Sequence, residues 1–284
     1  MLIKEVVKRI VPDSIYLKHC FKNIMGYPLN LSHPQNYNEK LQWLKLHNRN
    51  PLYTTLVDKY AVKKWVAEKI GEKYVIPTLG VWEKFDDIDL DKLPEQFVLK
   101  CTHDSGGLVI CKDKTVVDWS EARDRIHSSL KRNYYYQSRE WPYKNVPPRI
   151  IAEKYMEDPL DGELRDYKFY SFNGEPKILL LATNRQSKNS ALCFDYFDMN
   201  FNHLPLTNHW HPNNRLSPPH KPQKFSEMKE LVKVLAKDIP HVRVDFYEVA
   251  GQIYFGEMTF FPQGGFLKLH PNSWEREWGD MIKL

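Results

Sequence analysis

Cysteine is scarce in this chain. Four residues in 284, Cys20, Cys101, Cys111 and Cys193, show no Cys-x-x-C spacing, which excludes a disulfide-stapled module and a cysteine zinc site and fits a reducing compartment. Long apolar runs are missing too. The longest, from Ile178 to Ala182, holds five residues, against the roughly 20 that a spanning helix needs. Neither sign of charge dominates: 41 Lys and Arg stand against 36 Asp and Glu, a formal +5 with no dense basic block. That excess is too diffuse to indicate nucleic acid. It fits substrates bearing phosphates or carboxylates, and it fits a plain solvated surface equally well. No internal repeat and no low-complexity tail is present.

Apolar side chains are ample at 42%, with 16 Tyr, 14 Phe and 8 Trp, enough to offset chain entropy and exclude global disorder. The length sits at the upper edge of what one core serves, so two or three lobes are expected. At the amino terminus Leu2, Ile3, Val6, Val7 and Ile10 form a helical stripe, but Lys4, Glu5, Lys8 and Arg9 interrupt any signal-peptide core. A soluble cytoplasmic protein is expected. The stripe either packs on the body or rests on a membrane surface.

Two helical patterns occupy residues 1–57, one of them around Leu41, Trp43, Leu44 and Leu46. From Asp58, a capping residue, Val62, Trp65, Val66 and Ile70 repeat at helical spacing until Gly71. Strands are expected at 97–100 and 108–111, joined by the loop CTHDSGG, and a helix after Asp118-x-x-Glu121. Residues 133–148, rich in Tyr and Pro, read as a connection. Beyond them β signals dominate: a strand at 149–156, two flanking Asn173-Gly174, and two flanking Ala250-Gly251. The Pro-rich stretch 205–222 reads as loop, its His209, His211 and His220 lacking metal-ligand spacing. A helix opens at Ser226. The expected organisation is a helical segment 1–57, a small lobe 58–148 and a large lobe 149–284.

The last hairpin is the most informative feature, because side chains alternate faces along a strand. A two-residue turn at Ala250-Gly251 would pair Asp245 with Gly256 and mix charged with apolar positions. A three-residue turn pairs Asp245 with Glu257 and Arg243 with Thr259, leaving Val242, Val244 and Phe246 on the face of Met258 and Phe260. The second register sorts the faces and is the one expected. Opposed carboxylates destabilise a sheet unless a positive group lies between them. Two candidates stand: a divalent cation such as Mg²⁺, which takes hard oxygen ligands, or Arg243 or a distant Lys in a purely structural pair.

In FVLKCTHDSGG, Lys100 ends an apolar strand and Ser105, Gly106 and Gly107 form a tight loop, read either as a phosphate cradle or as an ordinary hairpin turn. It is not a P-loop, since no Gly-Lys-Ser/Thr follows. In IIAEKYM, a strand with free backbone beyond Glu153 is suited to an adenine edge, and Lys168 of RDYKFYSFNGEP to phosphates.

These signals together resemble an ATP-grasp enzyme, whose closing pattern is Arg243-Val244-Asp245, then Glu257-Met258-Thr259, then Pro262-Gln263-Gly264-Gly265. More narrowly, NEKLQWLK, DKYAVKKWV, FVLKCTHDSGG, RDYKFYSFNGEP and RVDFYEV…YFGEMTFFPQGGF resemble the TupA-like ATP-grasp proteins of teichuronopeptide and surface-polysaccharide pathways, over roughly residues 36–270. The resemblance implies an α+β ATP-grasp fold: two α+β lobes holding ATP between antiparallel sheets, with a helical N-terminal extension. It implies that Lys100 touches the phosphates, Lys63 is a second contact, and Ser105, Gly106 and Gly107 close over the triphosphate. Glu153 would fix the adenine amino group, the backbone from Lys154 through Tyr155 to Met156 the ring edge, and Glu157, Asp158 or Asp161 the ribose. Lys168 would help bind phosphate, Asp245, Glu257 and Thr259 would hold one or two Mg²⁺ ions, and Arg243 would stabilise the tetrahedral species. Thr259 stands where the superfamily usually has Asn, a weaker ligand that makes a second metal less secure. His103 and Asp104 are read either as substrate contacts or as surface loop residues, and Gly264 and Gly265 as substrate contacts.

The implied activity is a carboxylate–amine ligase, phosphorylating a uronic-acid or acidic-peptide carboxyl and passing the acyl group to an amino acid or small amine. Its partners would be those small-molecule or glycan substrates, with no nucleic acid and a peripheral association with a membrane assembly. Rival readings are a kinase acting on a sugar hydroxyl and a glycosyltransferase; a non-catalytic module is disfavoured by the presence of Lys100 and both carboxylates.

Overall fold

The computed structural model describes residues 9–159, 164–184 and 191–284. The stripe at Leu2 to Val7 and the ribose candidate Asp161 lie outside them. The chain divides into two compact units, Asn50–Glu157 and a discontinuous one of Met1–Arg49 with Asp158–Leu284.

The smaller unit is a four-stranded antiparallel sheet of β1 (Thr78–Trp82), β2 (Phe97–Cys101), β3 (Leu108–Cys111) and β4 (Ile150–Lys154) in the order β1-β4-β2-β3. Phe97, Leu99 and Cys101 alternate onto one face with Val109, Cys111, Ile150 and Ala152, and cover Ala122 and Ile126 of the helix Trp119–Leu130. Asp118 caps that helix by accepting from the Glu121 amide at 3.0 Å, but Glu121 itself turns to Arg125 at 2.6 Å, so only half of a capping box forms. At the other helix start, Asp58 accepts from the Tyr60 amide at 2.9 Å and the helix Ala61–Ile70 follows, ended by Gly71.

The larger unit centres on a five-stranded antiparallel sheet of β5 (Asp166–Phe172), β6 (Glu175–Thr183), β7 (Cys193–Phe197), β9 (His241–Val249) and β10 (Gln252–Thr259), in the order β10-β9-β5-β6-β7; β8 (Thr207–Asn208) and β11 (Leu269–His270) form a small pair. Asn173 and Gly174 take left-handed φ values of 50° and 85° as the expected β5–β6 turn. The helix Phe225–Leu235 buries Met228, Val232 and Leu235. The strand β7 and the C-terminal helix Ser273–Met281 were not legible in the sequence.

The division differs from the expected boundaries at 57/58 and 148/149. The helix Leu52–Val57 goes with the smaller unit, where Tyr53 stacks on Trp141 with ring centroids 5.8 Å apart. Strand β4 belongs there as well, inserted between β1 and β2. The first helices are no separate segment: Asn38 on the helix Tyr37–His47 donates to the Leu267 carbonyl at 2.7 Å and accepts from the Leu267 amide at 2.8 Å. No helix among the described residues is long and apolar enough to cross a membrane.

The β9–β10 hairpin combines the two expected turns. Ala250 and Gly251, at φ 50° and 75°, form the two-residue turn, with Val249 opposite Gln252. A bulge at Gly256 then shifts the register, so that beyond it Asp245 faces Glu257, Val244 faces Met258 and Arg243 faces Thr259. A Cβ on Gly256 would stand 3.1 Å from both the Asp245 carbonyl and the Tyr247 ring, so a larger residue fits at the bulge only if those neighbours give way slightly. The polar face is thus the expected one, reached by a different turn.

At one end of that face His241 is fully enclosed. Its Nδ1–H donates to the Phe260 carbonyl at 3.1 Å, and Nε2 accepts from the Tyr37 hydroxyl at 3.0 Å. Burial lowers its pKa to about 4, against a weaker opposing pull from the Phe260 carbonyl. The folded pKa is depressed below the unfolded value, so the stability gained from keeping this ring neutral is complete above pH ~6.5 and falls away between ~6.5 and 4. The loss amounts to roughly 3 kcal/mol. Urea midpoints from pH 7.5 to 4.5 should show His241→Gln, weaker at neutral pH, converging on the parent as the pH falls; parallel curves would refute this.

Candidate functional site

The candidate residues fall into two clusters, one in each unit. In the smaller unit Glu153 of β4 lies opposite Val98 of β2, beside Lys100 on the same sheet face. Its carboxylate is almost completely buried and meets Lys100 Nζ at 2.6 Å and Lys63 Nζ, from the helix Ala61–Ile70, at 2.5 Å. Lys63 also donates to the Ile76 carbonyl at 2.6 Å. Burial works to raise the Glu153 pKa, but Lys100 and Lys63 outweigh it and hold the carboxyl below the ordinary glutamate range. Two cations around one carboxylate leave a positive excess. Leu108 and Ile110 of β3 are exposed apolar side chains on this sheet. The sequence reading overlooked them, although four successive apolar residues in a strand beside a loop signal two covered faces.

Strand pairing in β4 ends at Lys154, whose amide goes to the Pro77 carbonyl at 3.0 Å. Beyond it no backbone hydrogen bond among the described residues engages Tyr155, Met156 or Glu157. This leaves an edge available there, one residue later than the expected ring-edge contact at Lys154. The Tyr155 hydroxyl donates to Glu157 at 2.8 Å.

The β2–β3 loop exposes Ser105 and Gly106 and buries Gly107, where a Cβ would stand 2.3 Å from Ser129 Oγ. His103 and Asp104 are not surface loop residues. Both are buried: Asp104 accepts from Ser129 Oγ, from Arg132 at 2.8 Å and from the Gly107 amide at 3.4 Å, and His103 Nε2 meets the Ser129 carbonyl at 3.2 Å. They fasten the glycine loop from beneath. Beside it, burial pushes the Cys101 thiol up to about 11, so it is no thiolate nucleophile.

In the larger unit Arg243 forms a fork on Asp245, with Nε to Oδ1 and NH2 to Oδ2 both at 2.7 Å, and reaches Glu257 at 2.7 Å and Thr259 Oγ1 at 3.1 Å. Lys168 meets Asp245 at 2.6 Å and Asp166 at 3.4 Å. The expected pairing of Asp245 with Glu257 is present, and Arg243 lies between the two carboxylates. Three carboxylates and two cations meet on this face. Among the described residues no group of three or more His, Cys, Asp and Glu is placed to hold a metal. The hard oxygens of Asp245, Glu257 and Thr259 nevertheless suit Mg²⁺, which commonly takes only one or two carboxylates from the protein.

Gly264 and Gly265 follow β10 in a left-handed turn, at φ 62° and 71°. Their carbonyls are engaged from the helix Tyr37–His47: Lys45 donates to Gly264 and Gln42 to Gly265, at 2.5 and 2.6 Å. That part of the substrate expectation is met by internal bonds. The anchor, Lys45, is a buried lysine over the Phe266 ring at 5.1 Å.

A family model described as TupA-like ATPgrasp matches residues 39–283. No curated protein matches the sequence. Among solved structures, the chain is similar to D-alanine-D-alanine ligase from Helicobacter pylori, at 15% identity and a TM-score of 0.46 over 88% of this chain and 70% of that one. The ATP complex of D-alanine–D-alanine ligase from Bacillus anthracis gives 16% and 0.45 over 94% and 73%. The VanG D-Ala:D-Ser ligase from Enterococcus faecalis gives 13% and 0.44 over 80% and 60%, so the chain spans less than two thirds of that ligase.

The two carboxylates should differ in stability cost. Asp245 is 1% exposed and Glu257 39%. Asp245→Asn strips buried Arg243 and Lys168 of their shared counter-charge and should cost about 3–5 kcal/mol. Glu257→Gln should cost about 0–1 kcal/mol. Urea unfolding at neutral pH measures both, and equal losses would contradict the assignment of Asp245 as the anchor.

Proposed function

The chain belongs to the TupA-like ATPgrasp family, and from that premise we propose that it is an ATP- and Mg²⁺-dependent carboxylate–amine ligase. The observation that carries the reading is a lysine-rich cluster in the smaller unit and a carboxylate-rich cluster in the larger one. The cluster of Lys63, Lys100 and Glu153 suits an anion, and the cluster of Asp166, Lys168, Arg243, Asp245 and Glu257 suits a cation.

In this reading Lys100 and Lys63 bind phosphate oxygens, held in place by Glu153, whose carboxylate is taken up by the two ammonium groups more than by an adenine amino group. The free backbone at Tyr155 to Glu157 takes the adenine edge, and Leu108 and Ile110 offer apolar cover to its ring. Ser105 and Gly106 present the exposed rim of a loop fastened by Asp104, with amides available to phosphate. Asp245, Glu257 and Thr259 would hold Mg²⁺, which neutralises phosphoryl charge when bound. Lys168 steadies Asp245 and Asp166. Arg243 is placed to stabilise an oxyanion, since its guanidinium already bridges acidic oxygens on that face.

The reaction proposed is transfer of the γ-phosphoryl group from ATP to a carboxylate oxygen, releasing ADP. An amine then attacks the acyl carbon, forming the C–N bond, expelling phosphate and losing a proton. The acceptor carboxyl belongs to a uronic acid or acidic peptide of a surface glycan, as the family resemblance suggests. A cytoplasmic setting is consistent with four free cysteines.

Lys100→Ala removes a charge-assisted phosphate contact and should weaken ATP binding by about 10- to 150-fold, or 1.5–3 kcal/mol; unchanged affinity by calorimetry would remove the loop from the nucleotide site. The activity test uses hydroxylamine. With ATP, Mg²⁺ and the correct carboxylate, it should intercept the acyl phosphate as a hydroxamate, and Arg243→Ala should depress that yield by two to three decades, about 3–4 kcal/mol. A stable phosphate ester insensitive to hydroxylamine would make the protein a kinase instead.

A further inference from the structure

The segment that joins β7 to the helix Phe225–Leu235 has a composition of its own. Between Asp198 and Glu227 it contains no acidic residue, yet it carries four histidines together with Arg215, Lys221 and Lys224. Its prolines suggest a slack loop, but its backbone is pinned by buried side chains. Asn208 accepts from the amides of Trp210 and His211 at 3.0 and 2.8 Å and donates to the Tyr196 hydroxyl at 3.3 Å. Asn214 gives its amide to Asp195 Oδ1 at 2.8 Å and its side-chain nitrogen to Oδ2 at 2.7 Å, and that carboxylate is fully buried. Phe194 donates its amide to the Pro212 carbonyl at 2.8 Å.

On this fixed backbone Trp210 remains 45% exposed. Next to it His211 packs on Phe194 with ring centroids 4.2 Å apart. Phe194 lies opposite Ala182, and Ala182 opposite Asp166. Directly opposed residues share a sheet face, so the Phe194–His211 pair is on the face of Asp166 and Lys168, two strand spacings or ~10 Å away.

A large ring left exposed on an ordered backbone offers a flat apolar platform with a polar edge. Among the described residues the segment's only close acid, the buried Asp195, is taken up by His203 and Asn214, and the segment's own charged residues, Arg215, Lys221 and Lys224, are all basic, which favours a negatively charged ligand over a neutral one. We propose that this segment is the acceptor subsite and binds the pyranose ring of an acidic sugar on Trp210, with its carboxylate recognised by the neighbouring basic side chains. The assignment to the acceptor rests on the ligase reading; binding of the acidic sugar does not.

The test uses the full chain, trigalacturonate as probe, maltotriose as neutral control and Mg·ADP as a separate titrant, read by calorimetry and saturation-transfer NMR. Trigalacturonate should bind about tenfold or more tightly than maltotriose, and Trp210→Ala should weaken it by at least about tenfold. Trp210→Phe should stay within about threefold of the parent, keeping a platform. Arg215→Ala should reduce trigalacturonate binding alone, and Mg·ADP affinity and melting temperature should stay level throughout. Equal trigalacturonate binding by the parent and Trp210→Ala, or none by the parent while Mg·ADP binds, overturns the subsite. So does a Trp210→Ala effect on oligomeric mass in place of sugar affinity. Failure of Mg·ADP to bind overturns the ligase reading, and the trigalacturonate titrations still decide the sugar site.

Discussion

Two carboxylates facing each other across adjacent strands repel by about 3 kcal/mol at 5 Å and an effective dielectric of 20. The organisation of the larger sheet's polar face depends on how that repulsion is met. Arg243 meets it from within the same hairpin, holding both oxygens of Asp245 and one of Glu257. Lys168 comes from the neighbouring strand because Lys168 and Asp245 are register partners in β5 and β9. The face is stable as it stands, its carboxylate oxygens ordered by Arg243 and Lys168. A buried network of this kind contributes little net stability against an apolar alternative; what it provides is a fixed arrangement of charge.

The smaller sheet solves the converse problem. Glu153 is one carboxylate in a nearly dry position, and two lysines from different elements converge on it. Each ammonium group keeps unused hydrogen-bonding capacity, because Lys carries three donors and no acceptor. The shared carboxylate holds both largely buried lysine side chains in one orientation. Lys63 is tied further by the Ile76 carbonyl, which makes it the more rigid of the two.

Much of this was legible from residue order, and the failures have physical causes. Apolar alternation marks β9, continuous apolar runs mark β2, β3 and β6, and β5 and β10 follow from the turn dipeptides Asn173-Gly174 and Ala250-Gly251 that join them to a neighbour. Strand β7 is too short and too interrupted by Asp195 to stand out, and the helix Ser273–Met281 hides behind a polar composition, with one fully buried aromatic, Trp278, as its anchor. The burial of His103 and Asp104 was illegible because it depends on Ser129 and Arg132, more than 20 residues away. The unit boundaries were missed for a related reason: β4 is contiguous in sequence with the larger unit but pairs with β1 and β2. Sequence reading recovers contacts along a hairpin and loses those that return from a distance.

The hairpin itself shows why register deserves to be argued at the level of single residues. Ala250-Gly251 closes a tight two-residue turn, and continued without interruption it would place Asp245 opposite Gly256, with Glu257 on the other face. The bulge at Gly256 inserts one unpaired residue and returns Glu257 to the side of Asp245. A side chain at 256 would press on the Asp245 carbonyl and the Tyr247 ring, so a larger residue would strain the bulge unless those neighbours shift. Losing the bulge would exchange the faces of Glu257, Met258 and Thr259 at once, burying a carboxylate in the apolar layer and exposing Met258. The acidic oxygens of the larger unit therefore depend on a glycine that touches none of them.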